Sequence, residues 1–193
     1  MLTFFLAWIS YYGFHSLLAS TELKLRLARF SARFYRYYRL VYSISALLVL
    51  GILANFSWKV QSPILFQQKL VTACGFVLLG IGALVQVMAI RSFNLRVFMG
   101  LDSTPLPNQV SLQPLIVDGM YKYVRHPLYF GVLCMALGIL FVFPYQHVLG
   151  FSLITILYLF IGSYWEEKKL IQEFGSSYVL YKSRVKGIIP FLV

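Results

Sequence analysis

RHPLYFGVLCMALGILFVFPYQHVLGFSLITILYLFIGSYWEE, residues 125–167, decides the fold. Two apolar runs, Leu128–Phe143 and Val148–Tyr164, contain no Lys, Arg, Asp or Glu. About 17–25 such residues cross the roughly 30 Å of hydrocarbon in a bilayer, so the first run is the shorter limb. Pro144 stops that limb, and Phe143-Pro144-Tyr145-Gln146-His147 reads as the turn, with Gln146 and His147 facing outer water. Arg125-His126-Pro127 stands just ahead of the pair and Glu166-Glu167 just behind it. Two antiparallel helices therefore bring cations and carboxylates to one membrane face. That juxtaposition suits a zwitterionic or polyol ligand.

Outward from this stretch the apolar pattern continues. Leu2–Ser20, Leu40–Phe56 and Leu70–Ile90 are three further spans, giving five. The chain is 60% hydrophobic and 12% charged, against about a quarter charged in soluble domains. Backbone groups in lipid must pair within their own segment, and no run alternates like a barrel strand. The expectation is a single-domain, all-α integral membrane protein of five transmembrane helices. Helices four and five form a hairpin, and a helical C-terminal tail follows. Trp8, Tyr11, Tyr12 and His15 interrupt the first run, and no basic region or small-residue cleavage site marks it as a signal peptide.

The net charge of +11 raises nucleic acid as a partner, but its distribution points to lipid. Lys24, Arg26, Arg29, Arg33, Arg36 and Arg39 lie between the first two spans. Arg91, Arg96, Lys122 and Arg125 lie between the third and fourth, and Lys168, Lys169, Lys182, Arg184 and Lys186 follow the fifth. Only Lys59 and Lys69, of 17 cations, fall on the other face. Positive loops mark the cytoplasm, so the N-terminus is expected outside and the C-terminus inside. Residues 21–39 read as an interfacial helix whose cations reach anionic headgroups. The long segment Arg91–Asp118, with Pro105, Pro107 and Pro114, is expected to cap or line the site.

Pro127 suits the first turn of a helix, where its missing N–H needs no partner. Arg125 and His126 then sit at a helix N-terminus, which attracts an anion such as a ligand carboxylate. Glu166 and Glu167 oppose the dipole of the fifth helix and repel each other, which a cation or hydroxyl would relieve. Each cluster alone also reads as an interface anchor or a solvated group; their conjunction makes the site. His15, inside the first span, is either a packing histidine or a substrate-site residue. Arg91, after the third span, is either a headgroup contact or part of the same inner face. Cys74 and Cys134 sit in apolar runs as small buried residues, and no metal-ligand spacing is present. No dinucleotide motif, P-loop, zinc-protease helix or nucleophile elbow occurs.

Gly119-x-Tyr121-x-x-Val124-Arg125-His126-Pro127-x-Tyr129, Glu166-Glu167-x-x-Leu170 and Phe174-Gly175-x-x-Tyr178-x-x-Tyr181, followed by Val185 and Ile189-Pro190, form an ordered set. Over 115–193 the chain resembles the membrane methyltransferases related to isoprenylcysteine carboxyl methyltransferase and phospholipid N-methyltransferase. His15-Ser16-Leu17-Leu18-Ala19-Ser20 and Arg39-Leu40-Val41-Tyr42 look like the branch containing methanethiol S-methyltransferases.

The resemblance implies S-adenosylmethionine bound at the cytoplasmic end of helices four and five. Arg125, His126 and Pro127 would neighbour its methionine part, and Glu166 and Glu167 its ribose or amino group. The backbone at Leu115–Val117 and Gly119 would meet adenine, with Tyr121 and Tyr129 lining the pocket. The acceptor would be a small or lipophilic thiol, or a lipid-borne group, with His15 and Arg91 as candidate contacts; no catalytic base is assigned. Prenylcysteine enzymes carry an arginine shortly before the glutamate pair, where this chain has Gly162-Ser163-Tyr164-Trp165. Sterol reductases share a similar C-terminal pattern and bind NADPH, but have many more helices. A scaffold or sensor that kept the pocket is the non-catalytic alternative.

Overall fold

The computed structural model describes residues 1–31, 35–99, 101 and 114–190, with only the backbone of Val97 and Phe98. Among these residues the chain is helical, with no strand beyond two isolated bridges, Ile64 with Tyr145 and Val124 with Lys186. The helices are α1 (Leu2–Ala19), α2 (Thr21–Phe30), α3 (Tyr38–Trp58), α4 (Lys69–Ile90), α5 (Leu95–Met99), α6 (Pro127–Val142), α7 (Gln146–Phe174) and α8 (Ser176–Arg184), with a 3₁₀ turn at Gly119–Lys122. Four of them, α1, α3, α4 and α7, are long and apolar enough to cross a membrane. The apolar helix α6 has 16 residues, about 24 Å at 1.5 Å per residue. Arg33, Asp102, Pro105, Pro107 and Phe191–Val193 lie outside the described residues.

Two compact units divide the chain. The first comprises Met1–Val60 with Phe93–Gln113. Within it α1 and α3 run antiparallel, tied by Trp8 Nε1–H to Ser57 Oγ at 3.3 Å and by Tyr38 O–H to Leu18 O at 2.5 Å. A ladder of rings connects these ties: Tyr35 on Tyr38, Tyr38 on Tyr42, Tyr42 on His15, His15 on Tyr11 and Tyr11 on Trp8. α2 buries no residue and has apolar and basic faces, capped by Ser20 Oγ accepting from Leu23 N–H at 3.4 Å.

The second unit comprises Gln61–Ser92 with Pro114–Val193. Here α4 packs antiparallel to α6 through glycines seven residues apart on each helix. A Cβ at Gly82 would lie 2.8 Å from Gly131 O and 2.6 Å from Met135 Cγ, and one at Gly138 would lie 2.9 Å from Gly75 O. Lipid tails give no hydrophobic drive between helices, so close approach through small residues supplies the dispersion contacts instead. Gln86 Nε2 donates to Leu128 O at 2.9 Å at the end of this seam. α7 packs on α6 through Ser152 Oγ–H to Ala136 O at 3.0 Å, a fully buried bond. The outward faces stay apolar, with Leu70, Phe76, Val77, Leu84, Leu153 and Leu157 exposed, as lipid-solvated helices require. Cys134 is buried as expected, whereas Cys74 is exposed on this outer face.

Two further expectations are corrected. His147 does not face water. It is 5% exposed because Ser62 Oγ meets its Nδ1 at 2.7 Å, and the 61–68 segment seals the turn with Gln146 N–H to Pro63 O at 3.0 Å and Leu65 N–H to Pro144 O at 2.7 Å. The sequence also offers Ser176 or Ser177 as the cap of a short helix after Gly175, but neither caps α8. Gly175, at φ +57°, ends α7 and is itself the N-cap, without a side-chain bond; that left-handed φ suits glycine.

Beyond α8 the chain folds back. Ile188, 3% exposed, packs with Leu133 of α6 and Leu159 of α7, a burial worth about 1.5–3 kcal/mol. The tail is thereby held across the ends of α6 and α7 where the two polar clusters stand.

Candidate functional site

The approach to α6 is built by local turns. Gly119, at φ +63°, opens the 3₁₀ turn. Tyr121 is 9% exposed, and its carbonyl accepts from Tyr181 O–H at 2.7 Å. Val124 is completely buried and bridges to Lys186. Arg125 N–H then donates to Lys186 O at 2.7 Å and His126 N–H to Gly187 O at 3.0 Å. His126 is the N-cap of α6 and Pro127 its first residue. The tail carbonyls thus occupy the two amides just ahead of the helix.

The two clusters are in direct contact. Arg125 Nε and Nη2 donate to Glu167 Oε1 at 2.8 and 2.5 Å. Its Nη1 donates to Val185 O and, at 3.3 Å, to Lys182 O. Lys182 Nζ takes the other oxygen, Glu167 Oε2, at 2.5 Å. His126 lies between the carboxylates, with Nε2 3.4 Å from Glu167 Oε1 and Nδ1 3.5 Å from Glu166 Oε2. The His126 ring stacks on Tyr129, 5.3 Å between centroids. Tyr129 O–H reaches Glu166 and passes over Gly162, one turn earlier on α7, where a Cβ would sit 3.5 Å from the hydroxyl.

The glutamates are not equivalent. Successive residues on a helix point about 100° apart. Glu167 turns toward the tail, with its side chain 13% exposed; Glu166 turns away, with its side chain 44% exposed. Both oxygens of Glu167 are taken by cations, whereas Glu166 meets His126, Tyr129 and, at longer range, Lys169. Burial pushes both carboxyls up, but the bonds and charges outweigh it. Glu167 is held below the usual range by Lys182 and Arg125, and Glu166 by His126, Tyr129 and Lys169. Burial pushes the Tyr181 hydroxyl up to about 12. It also raises Tyr121 and Tyr178, helped by Glu166 at the former and Glu167 at the latter.

The sequence alone assigns no site role to two residues of this cluster. Lys182 completes the hold on Glu167, and its only signal is its place one turn after Tyr178. Tyr178 is 1% exposed, and its hydroxyl has no hydrogen-bond partner among the described residues. Leu115 is half-buried and Val117 exposed in the irregular segment leading to the 3₁₀ turn. Arg91 is the C-cap of α4, in this same unit. His15 belongs to the first unit, where Tyr42 O–H meets its ring nitrogens at 3.0 and 2.9 Å.

Similar proteins share this part of the chain. Methanethiol S-methyltransferase 1 of Bradyrhizobium diazoefficiens is 42% identical over 72 residues, 37% of this chain and 25% of the relative. Protein-S-isoprenylcysteine O-methyltransferase of Schizosaccharomyces pombe is 36% identical over 85 residues, 40% of this chain and 34% of the relative. A methanethiol S-methyltransferase of a Pseudomonas species is 31% identical over 162 residues, 79% of this chain and 59% of the relative. The chain therefore spans between a quarter and three fifths of the length of these relatives. No solved structure matches. The sequence model of one family covers residues 74–172, just over half the chain and both polar clusters: the protein belongs to the isoprenylcysteine carboxyl methyltransferase (ICMT) family.

Proposed function

We propose that this chain is an S-adenosylmethionine-dependent membrane methyltransferase acting on a small or lipophilic thiol or a lipid-borne acceptor. The observation that carries the reading is the unequal pair on α7: one glutamate saturated by Arg125 and Lys182, its neighbour open beside His126 and Tyr129. A half-exposed carboxylate next to aromatic faces suits the ammonium or ribose hydroxyls of the methyl donor. The residues present therefore fit the group.

Glu166 would accept hydrogen bonds from the donor, and His126 would keep that carboxylate oriented. Tyr129 would wall the pocket, with Tyr121 behind it and the Leu115–Val117 and Gly119 backbone toward the adenine. Arg125 and Glu167 would hold the frame rather than the ligand. When bound, S-adenosylmethionine supplies an electrophilic sulfonium methyl. The protein's part is alignment: holding nucleophile, methyl and leaving sulfur in line is worth up to about 7–11 kcal/mol.

Five spans follow if α6 crosses as the short limb of a hairpin with α7. Fifteen of 17 cations then lie on the cytoplasmic side, with the N-terminus outside and the tail and donor site inside. The polar donor would enter from the cytoplasm and an apolar acceptor from the lipid. Gly162–Trp165, in place of an arginine ahead of the glutamates, favours a thiol over a prenylcysteine carboxylate. The test is transfer of radiolabelled methyl by purified protein to methanethiol and longer thiols, prenylcysteines and phospholipids. Labelling of a thiol is expected. Labelling of prenylcysteine alone would move the acceptor to a carboxylate, and no labelling with tight S-adenosylhomocysteine binding would support a sensor.

A further inference from the structure

Behind the Arg125–Glu167 pair, the tail encloses a second feature. A cavity of about 250 Å³ is lined by Arg125 and by Lys182, Ser183, Arg184, Val185, Lys186 and Gly187. Glu166, His126 and Tyr129 of the proposed donor pocket are not in its wall. Its four cations meet a single carboxylate, Glu167, which contacts Arg125 and Lys182. Among the described residues Arg184 and Lys186 are in no ion pair, leaving the cavity three positive charges in excess. Concentrated like charge in a half-enclosed space is relieved by an anion.

The surroundings say which kind. On α8, Val179 and Leu180 are 52% and 54% exposed. Ser183 and Arg184, at the cavity, follow them by one helical turn on the same face. Apolar side chains one turn from a cationic rim match the boundary between acyl chains and headgroups. A soluble anion would need no such apolar neighbours.

We propose that this cavity takes the phosphate of an anionic phospholipid headgroup, with Val179 and Leu180 against the upper acyl chain. Arg184 and Lys186 are the contacting cations, and Lys182 is shared between headgroup and Glu167. The proposal rests on the reading that places the tail at the inner leaflet, where anionic lipid is abundant.

The test uses the full chain, purified from mixed phosphatidylcholine and phosphatidylglycerol nanodiscs, with retained lipid counted by native mass spectrometry. The wild type is expected to retain one phosphatidylglycerol in preference to phosphatidylcholine. Arg184→Gln/Lys186→Gln should weaken that retention about twenty-fivefold, at roughly fivefold per cation near an anionic surface. Lys168→Gln, whose ammonium lies 4.4 Å from the Tyr164 ring centre outside the cavity, should leave it unchanged. Equal retention of both lipids, or no effect of the double variant, would overturn the proposal. So would displacement of the lipid by millimolar inorganic phosphate, which would assign the cavity to a soluble anion. S-adenosylhomocysteine affinity measured on the same nanodiscs reports separately on the donor reading. Selective lipid retention without nucleoside binding would sink that reading and leave this one standing.

Discussion

Replacing Glu167 with alanine should act on the fold, and replacing Glu166 should act on the ligand. The Arg125 side chain is 11% exposed and that of Glu167 13%. Removing one partner of a buried pair leaves an uncompensated charge and costs about 3–5 kcal/mol. Arg125 keeps its bonds to Val185 O and Lys182 O, so the lower end, about 3 kcal/mol, is expected for Glu167→Ala. At about 2–4 °C per kcal/mol for a chain of this size, Tm should fall by roughly 6–12 °C. Glu166 is 44% exposed, and its exposed contacts are worth no more than about 1 kcal/mol. Glu166→Ala should therefore leave Tm within roughly 4 °C while weakening S-adenosylhomocysteine at least tenfold. A charge-assisted bond of about 1.5–3 kcal/mol to the ligand gives that factor. Thermal unfolding in detergent, monitored by tryptophan fluorescence, and calorimetric titration of the nucleoside read the two quantities. If Glu167→Ala melts at the wild-type temperature, or both variants lose stability and affinity alike, the division of labour is wrong.

Three further outcomes follow from the same geometry. Gly82→Ala places a Cβ 2.8 Å from Gly131 O, whereas Gly80→Ala meets nothing within 4 Å. The first should destabilise by about 1–3 kcal/mol through overpacking and the second should not, as denaturation in mixed micelles would show. Glu167 has a lowered pKa, so its stabilisation is complete above the ordinary carboxylate range and disappears as pH falls through its folded value. Tm against pH should drop on that acid limb in the wild type, and the drop should be smaller in Glu167→Gln. Tyr181 is raised to about 12; its contribution is complete below pH of about 10 and lost as pH climbs to about 12. Tyr181→Phe should flatten that alkaline loss and, by removing the bond to Tyr121 O, cost about 1 kcal/mol at neutral pH.

Much of this arrangement is legible in the residues because membrane helices restrict the choices. Two charge-free runs joined by a proline turn leave one way for Arg125-His126 and Glu166-Glu167 to meet, and they meet within hydrogen-bond distance. The inequality of the glutamates is hidden in a detail of the same pattern. Adjacent helical residues cannot face one ligand together, and Lys182, the group that claims Glu167, approaches from a separate helix. The glycine seam has a visible signal in the seven-residue spacing of Gly75 with Gly82 and Gly131 with Gly138. Seven residues return a helix to nearly the same face, but which helix that face meets is settled only by packing. His147 reads as water-facing because a turn residue ordinarily is, yet its cover, Ser62, stands 85 residues away. Gly175 replaces the serines as the cap because its left-handed φ both ends α7 and starts α8.

The central statement is that Glu166, not Glu167, receives the methyl donor beside His126 and Tyr129. An experimental structure with S-adenosylhomocysteine tests it most directly. The account predicts nucleoside or ammonium density within hydrogen-bond distance of Glu166, with the Arg125–Glu167 pair and the tail unmoved. Density on a Glu167 that has released Arg125, or away from this end of α6 and α7, would contradict it.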